Sequence, residues 1–171
     1  MKKSEIQDMP HFFDRYINLA EDEDLLVSLE KTPLTDHDLE EKMQRLSDKT
    51  YAPDKWKVKD IVQHIIDNER IQAYRALRFA RAYTNVLPGY DEQPFAQFAK
   101  ATRRSLEGLL EEFSAVRQST ITLFKSFDNE MLQREGICYN VKISVLALGF
   151  VIVGHEIHHS NIIKERYLPL L

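Results

Sequence analysis

Half of the six histidines of this 171-residue chain fall within five residues, as His155, His158 and His159. A spacing of four puts His155 and His159 one turn apart on one helical face, where two imidazoles can hold a single borderline metal ion through their ring nitrogens. With Glu156 the letters read His-Glu-x-x-His, the pattern in which a zinc protease uses the glutamate to activate water. The rest of that motif is missing: Glu165 stands where a metzincin has its third histidine, and Ile162 stands where it has its glycine. Twelve residues follow His159, too few to bring a carboxylate from a later helix, so a third ligand has to come from upstream. His64 is the histidine set in a strongly helical stretch, whereas His11 and His37 lie in the weaker N-terminal part. It is therefore the first candidate, although alone it reads as an ordinary half-exposed helix histidine.

Three neutral imidazoles leave one to three coordination positions for water or substrate, which marks a working site and not a closed structural one. Glu156, 100° around the helix from His155, is a candidate catalytic base or a support for the ligands. His158 is off the ligand face and reads as structural. Asn68, four residues after His64, is a substrate contact or a plain helix-face amide.

The elements that must position these residues read as helices. A short amphipathic segment carries Phe12, Phe13, Tyr16 and Ile17, and Leu25, Leu26 and Leu29 continue it. Pro33 breaks the pattern, and Thr35 with Asp38 resembles a capping box that restarts a helix through Leu39, Met43 and Leu46. A turn at 51–56 leads into a helix from Val58 to about Ala82, with Val58, Ile61, Val62, Ile65 and Ile66 as its apolar stripe. Arg70, Arg75, Arg78 and Arg81 read as its solvated face, and could also hold an acidic substrate. The stretch from Leu87 to Pro94 reads as a loop long enough for a crossover. A third helix spans Ala101 to Ser126. The polar stretch from Asp128 to Asn140 is a connection with room for a short helical turn. Ser144 caps a last helix that is apolar all round in its first half and carries the histidines in its second. No stretch alternates with period two for long enough to argue for a sheet. The expected fold is a single-domain all-α four-helix bundle, and such bundles build metal sites from side chains on facing helices.

Composition narrows the partners. A net charge of −4 and a pI near 5.9 leave no broad basic surface for nucleic acid. The longest apolar run, Val145 to Val153, falls short of the ~20 residues of a membrane span. No secretory signal is read, and the one cysteine, Cys138, has no partner for an internal disulfide, which points to a cytoplasmic protein. Cys138 has uncharged neighbours and reads as a packing residue, not a nucleophile.

From Pro10 onward the chain resembles the DinB/YfiT-like family (DinB superfamily) of metal-dependent enzymes. The resemblance is carried by Tyr51-Ala52-Pro53-Asp54-Lys55-Trp56, by Val58-Lys59-Asp60-Ile61-Val62-Gln63-His64 and by Gly154-His155-Glu156-Ile157-His158-His159. Tyr74-Arg75-Ala76, Leu87-Pro88-Gly89-Tyr90 and the segment from Asn161 to Tyr167 add to it. It implies a four-helix bundle with a long crossover connection, here with a short extra N-terminal helix. It also implies a divalent metal, zinc or nickel, held by His64, His155 and His159. Relatives include transferases that use low-molecular-weight thiols and proteins described as hydrolases. The expected function is activation of a low-molecular-weight thiol or water against a small electrophile in a small-molecule substrate. The alternatives are a hydrolase of small molecules, a metal-binding stress-response module and, least supported, a peptidase. A homodimer is expected from family habit and from the prevalence of two-fold symmetry.

Overall fold

The computed structural model describes residues 1–83 and 85–171. In chain order its helices are α1 (Asp14–Ile17), α2 (Leu25–Glu30), α3 (His37–Leu46), α4 (Val58–Ala80), α5 (Glu92–Ala99), α6 (Leu106–Lys125), α7 (Asn129–Gln133) and α8 (Val145–Ile162). A hairpin of β1 (Glu135–Cys138) and β2 (Val141–Ser144) separates α7 from α8.

A helix apolar on every side has no face to offer water, and every residue of α8 from Val145 to Glu156 is buried. Its start is fixed by Ser144, whose hydroxyl accepts a hydrogen bond from the Ala147 N–H at 3.1 Å. Helix α4 packs along it and α6 packs on α4 and α2, while the fourth position is filled in pieces by α1, α2 and the segment 33–35. The break at Pro33 falls where expected, as a short 3-10 turn over Pro33–Thr35. The capping box does not. Asp36, not Thr35, caps α3 by accepting from the Leu39 N–H at 3.1 Å.

The core separates into two apolar clusters, and their membership gives the helix directions. One unites Val58 to Ile66 with Leu106 to Phe113 and with Ile163 and Tyr167, while the other holds Phe79, Phe124 and Val145 to Val153. Helices α4 and α6 therefore run parallel, and α8 runs against both. A parallel pair needs a connection that returns the full length of a helix, so the crossover is long. Its second half is not the expected loop. Asp91 accepts from the Gln93 N–H at 3.1 Å and starts α5, with Pro94 tolerated in the first turn. Helix α6 starts later than expected, at Leu106, under the Ser105 cap.

The connection after α6 also departs from expectation. Besides the helical turn of α7 it carries the hairpin, closed by Tyr139 and Asn140 at φ of 47° and 63°. Positive φ at both central residues gives a turn whose twist suits two strands. Four-residue strands are too short to show a period. Leu87 joins the edge of this hairpin, donating to Ile137 O at 2.9 Å and accepting from the Tyr139 N–H at 3.1 Å. The crossover and hairpin are thus tied together above one end of the bundle. Among the described residues no helix is long and apolar enough to cross a membrane.

Candidate metal centre

Between the two apolar clusters lies a polar layer. Helix α4 contributes His64, Asn68, Gln72 and Arg75, a stripe at four, four and three residues that is buried throughout. Helix α8 contributes His155, Glu156, His159 and Ser160, also buried. His64, expected on a half-exposed flank, is 3% exposed.

His64, His155 and His159 converge. One ring nitrogen from each lies within 4.8 Å of the other two, with His64 Nε2 at 3.0 Å and His159 Nε2 at 3.2 Å from His155 Nε2. Nitrogens at ~2.0–2.1 Å from a tetrahedral zinc are themselves ~3.3 Å apart, so the observed spacing suits one shared ion. The protonation states agree. Burial lowers the pKa of His64 to about 4, and it lowers His155 and His159 well below the usual 6.5, with the neighbouring imidazoles adding to the effect. Neutral imidazole is the form that ligates. His159 Nδ1 is buried without a hydrogen-bond partner among the described residues. Three buried, neutral nitrogen donors facing one point fit a borderline divalent cation.

The surrounding side chains fix the rings. Trp56 lies over His64 with ring centroids 4.9 Å apart, and Tyr16 meets His155 edge-on at 5.2 Å and His158 at 5.4 Å. Tyr16 can come this close because residue 154 is glycine: a Cβ there would stand 1.9 Å from the Tyr16 carbonyl oxygen. His158 is half-buried against that tyrosine and outside the group of three.

Glu156 points elsewhere. Its Oε1 accepts from the Leu34 N–H at 3.1 Å, and its Oε2 lies 2.9 Å from Arg117 Nη1, close enough for an ion pair but not aligned as a hydrogen bond. Arg117 is also bound by Glu69 through Nε at 2.9 Å and Nη2 at 2.9 Å, and it donates to Leu29 O at 3.1 Å. The catalytic role considered for Glu156 gives way to a structural one, because both carboxylate oxygens are engaged in joining α8 to α6 and to the Pro33 turn.

A different carboxylate reaches the histidines. Glu92, the first residue of α5, has Oε2 at 3.9 Å from His64 Nε2 and is 55% exposed. The sequence reading missed it because the crossover was taken for a loop. The capping aspartate Asp91 was the available signal.

Two openings lead to the cluster. A cleft of about 610 Å³ reaches His155 and Val151 between Tyr16, the Asn68, Gln72 and Arg75 side of α4, Tyr90 and Tyr139, and a smaller one of about 200 Å³ reaches His159 between Trp56, Tyr51 and Tyr167. Glu92 lines both. Of the four arginines assigned to a solvated face, Arg75 is the exception. It is 4% exposed and lines the larger cleft.

Fold and site together define a class: helical bundles with a long crossover and three histidines from facing helices gathered in the interior. Residues 23–163 match the DinB superfamily, and the chain belongs to it. Among solved structures it is similar to one described as "YfiT from Bacillus subtilis is a probable metal-dependent hydrolase with an unusual four-helix bundle topology". That match has 18% identity and a TM-score of 0.64, and it covers 92% of this chain and 87% of the other, a likeness of fold. No curated protein matches the chain significantly.

Proposed function

We propose that this protein is a metal-dependent enzyme acting on a small molecule, with one divalent ion, zinc or nickel, held by His64, His155 and His159. The observation that carries this reading is the convergence of three buried Nε2 atoms at a point open to two clefts. A divalent metal bound there would supply the charge that lowers the pKa of a coordinated water toward neutrality and deprotonates a coordinated thiol outright. The chain's own residues do the rest. Trp56 and Tyr16 hold the imidazoles in place, and burial keeps them unprotonated. Glu92 Oε2, partly open to solvent beside His64, is placed to take the proton that the nucleophile gives up. The apolar and aromatic walls of the larger cleft exclude water from an electrophile seated against His155.

Two openings favour a two-reactant transfer, with a low-molecular-weight thiol entering on one side and the electrophile on the other. Water as nucleophile, a small-molecule hydrolase, is the second reading, favoured by the description of the structurally similar Bacillus subtilis protein. Elemental analysis of the purified protein should find one divalent ion per chain, lost in His64→Ala, His155→Ala and His159→Ala. Full retention in any one variant removes that residue from the site. Metal-loaded protein is then given a panel of thiols with a chlorinated aromatic electrophile, alongside ester and amide substrates. Metal-dependent conjugation marks transfer, and metal-dependent cleavage without thiol marks hydrolysis. Silence in every assay with metal bound returns the chain to a metal-binding module.

A further inference from the structure

The floor of the larger cleft holds two polar groups for which the fold provides incomplete partners. Arg75 is 4% exposed, yet among the described residues no carboxylate lies within 4.0 Å of its guanidinium. It spends two of its five N–H donors, one on Gln72 Oε1 at 3.2 Å and one on Pro88 O at 2.9 Å. Asn68 is 7% exposed; its Nδ2 donates to Tyr90 Oη at 2.8 Å, while its Oδ1 is buried with no partner. A buried cation without a counter-charge and a buried acceptor without a donor are both costly, and both are relieved by a ligand that brings the missing halves.

Their separation limits that ligand. Residues 68 and 72 are about one helical turn apart, ~6 Å along the axis, and the Arg75 guanidinium is anchored beside the Gln72 side chain. The ligand's anion and its hydrogen-bond donor are therefore only a few bonds apart. The walls are aromatic, from Tyr16, Tyr90 and Tyr139. Asp91 and Glu92 at the same cleft put negative charge near the histidines and leave Arg75 as the buried positive charge at its floor.

We propose that this cleft binds a small organic carboxylate that carries an N–H or O–H donor close to the carboxylate and an apolar or aromatic tail, with Arg75 taking the carboxylate and Asn68 Oδ1 the donor. This names the ligand class for the enzyme reading above, and its binding does not require the metal. N-benzoylglycine is a suitable probe because it combines the carboxylate, the amide N–H and an aromatic ring. Its methyl ester lacks the charge, and N-benzoylsarcosine lacks the donor.

Binding is measured by calorimetry and by ligand-observed NMR on the full chain, with and without zinc. N-benzoylglycine should bind the metal-free protein, and each analogue should bind at least about ten-fold more weakly, in the range for losing a charge-assisted or buried hydrogen bond. Arg75→Gln should abolish the preference for acid over ester. The variant also loosens the contact to Pro88, so the analogue comparison on the unaltered chain stands as the test that needs no mutation. Equal affinity for acid and ester overturns the proposal, as does binding that requires zinc and survives Arg75→Gln. Dependence on the exposed Arg15 instead, seen as loss of the preference in Arg15→Gln alone, overturns it as well. Metal analysis of the same samples separates failure of this assignment from failure of the metal site.

Discussion

His64, His155 and His159 are held unprotonated by their burial, and this changes how acid should act on the site. An unperturbed imidazole has a pKa near 6.5, so three of them at pH 5.5 would weaken a metal about 1,000-fold by proton competition. With His64 near 4 and the other two lowered as well, zinc affinity measured by competition titration should fall far less between pH 7.5 and 5.5. A full 1,000-fold loss would show that the rings titrate as exposed ones. The same shifts have a sign for folding. The folded pKa lies below the unfolded one, so between pH 6.5 and about 4 the unfolded chain binds protons that the folded chain refuses. Metal-free protein should therefore lose stability as pH falls through that window, read as a falling denaturation midpoint. The spacing of His155 and His159 was legible in the sequence because helical geometry turns a gap of four into one face. The burial of His64 was not, since Asn68 and Arg75 on the same helix read as a helix-face amide and part of a solvated face until α8 is packed against α4.

Helix α8 depends on what its polar residues meet. Arg117 neutralises Glu69 and Glu156 in the interior, and Arg117→Met leaves both carboxylates without their cation, a loss of about 3–5 kcal/mol in chemical denaturation. Glu156→Gln keeps an acceptor for the Leu34 N–H. It should cost less and should retain the metal in full, whereas loss of metal with the fold intact would return Glu156 to the site. Gly154→Ala drives a Cβ into the Tyr16 backbone. It should cost about 1–3 kcal/mol as overpacking does, and it should shift the His155 and His158 ring signals in NMR. The all-apolar start of α8 and its Ser144 cap could be read from the sequence, as could the break at Pro33. Helix α5 and the hairpin could not, because eight and four residues are too few for a period, and Asp91, Tyr139 and Asn140 act through local backbone geometry.

At the scale of the molecule, two apolar clusters enclose a charged and polar layer, and that layer is where a bound metal would add stability. By mass action, zinc at one hundred times its dissociation constant should raise stability by about 2.7 kcal/mol, seen as a higher melting temperature that a chelator reverses and that His159→Ala abolishes. We also propose a homodimer. Light scattering at micromolar concentration should give about twice the 20.1 kDa chain mass, and the chain mass itself would refute it. The long crossover brings Glu92 between the larger cleft and the smaller one. In the proposed two-reactant transfer, a molecule resting on Val151 and His155 would leave the way past Trp56 and His159 clear, so neither reactant would have to wait for the other to depart. Steady-state kinetics should then show random order of addition, and an inhibitor lodged in one doorway should act non-competitively toward the reactant that uses the other.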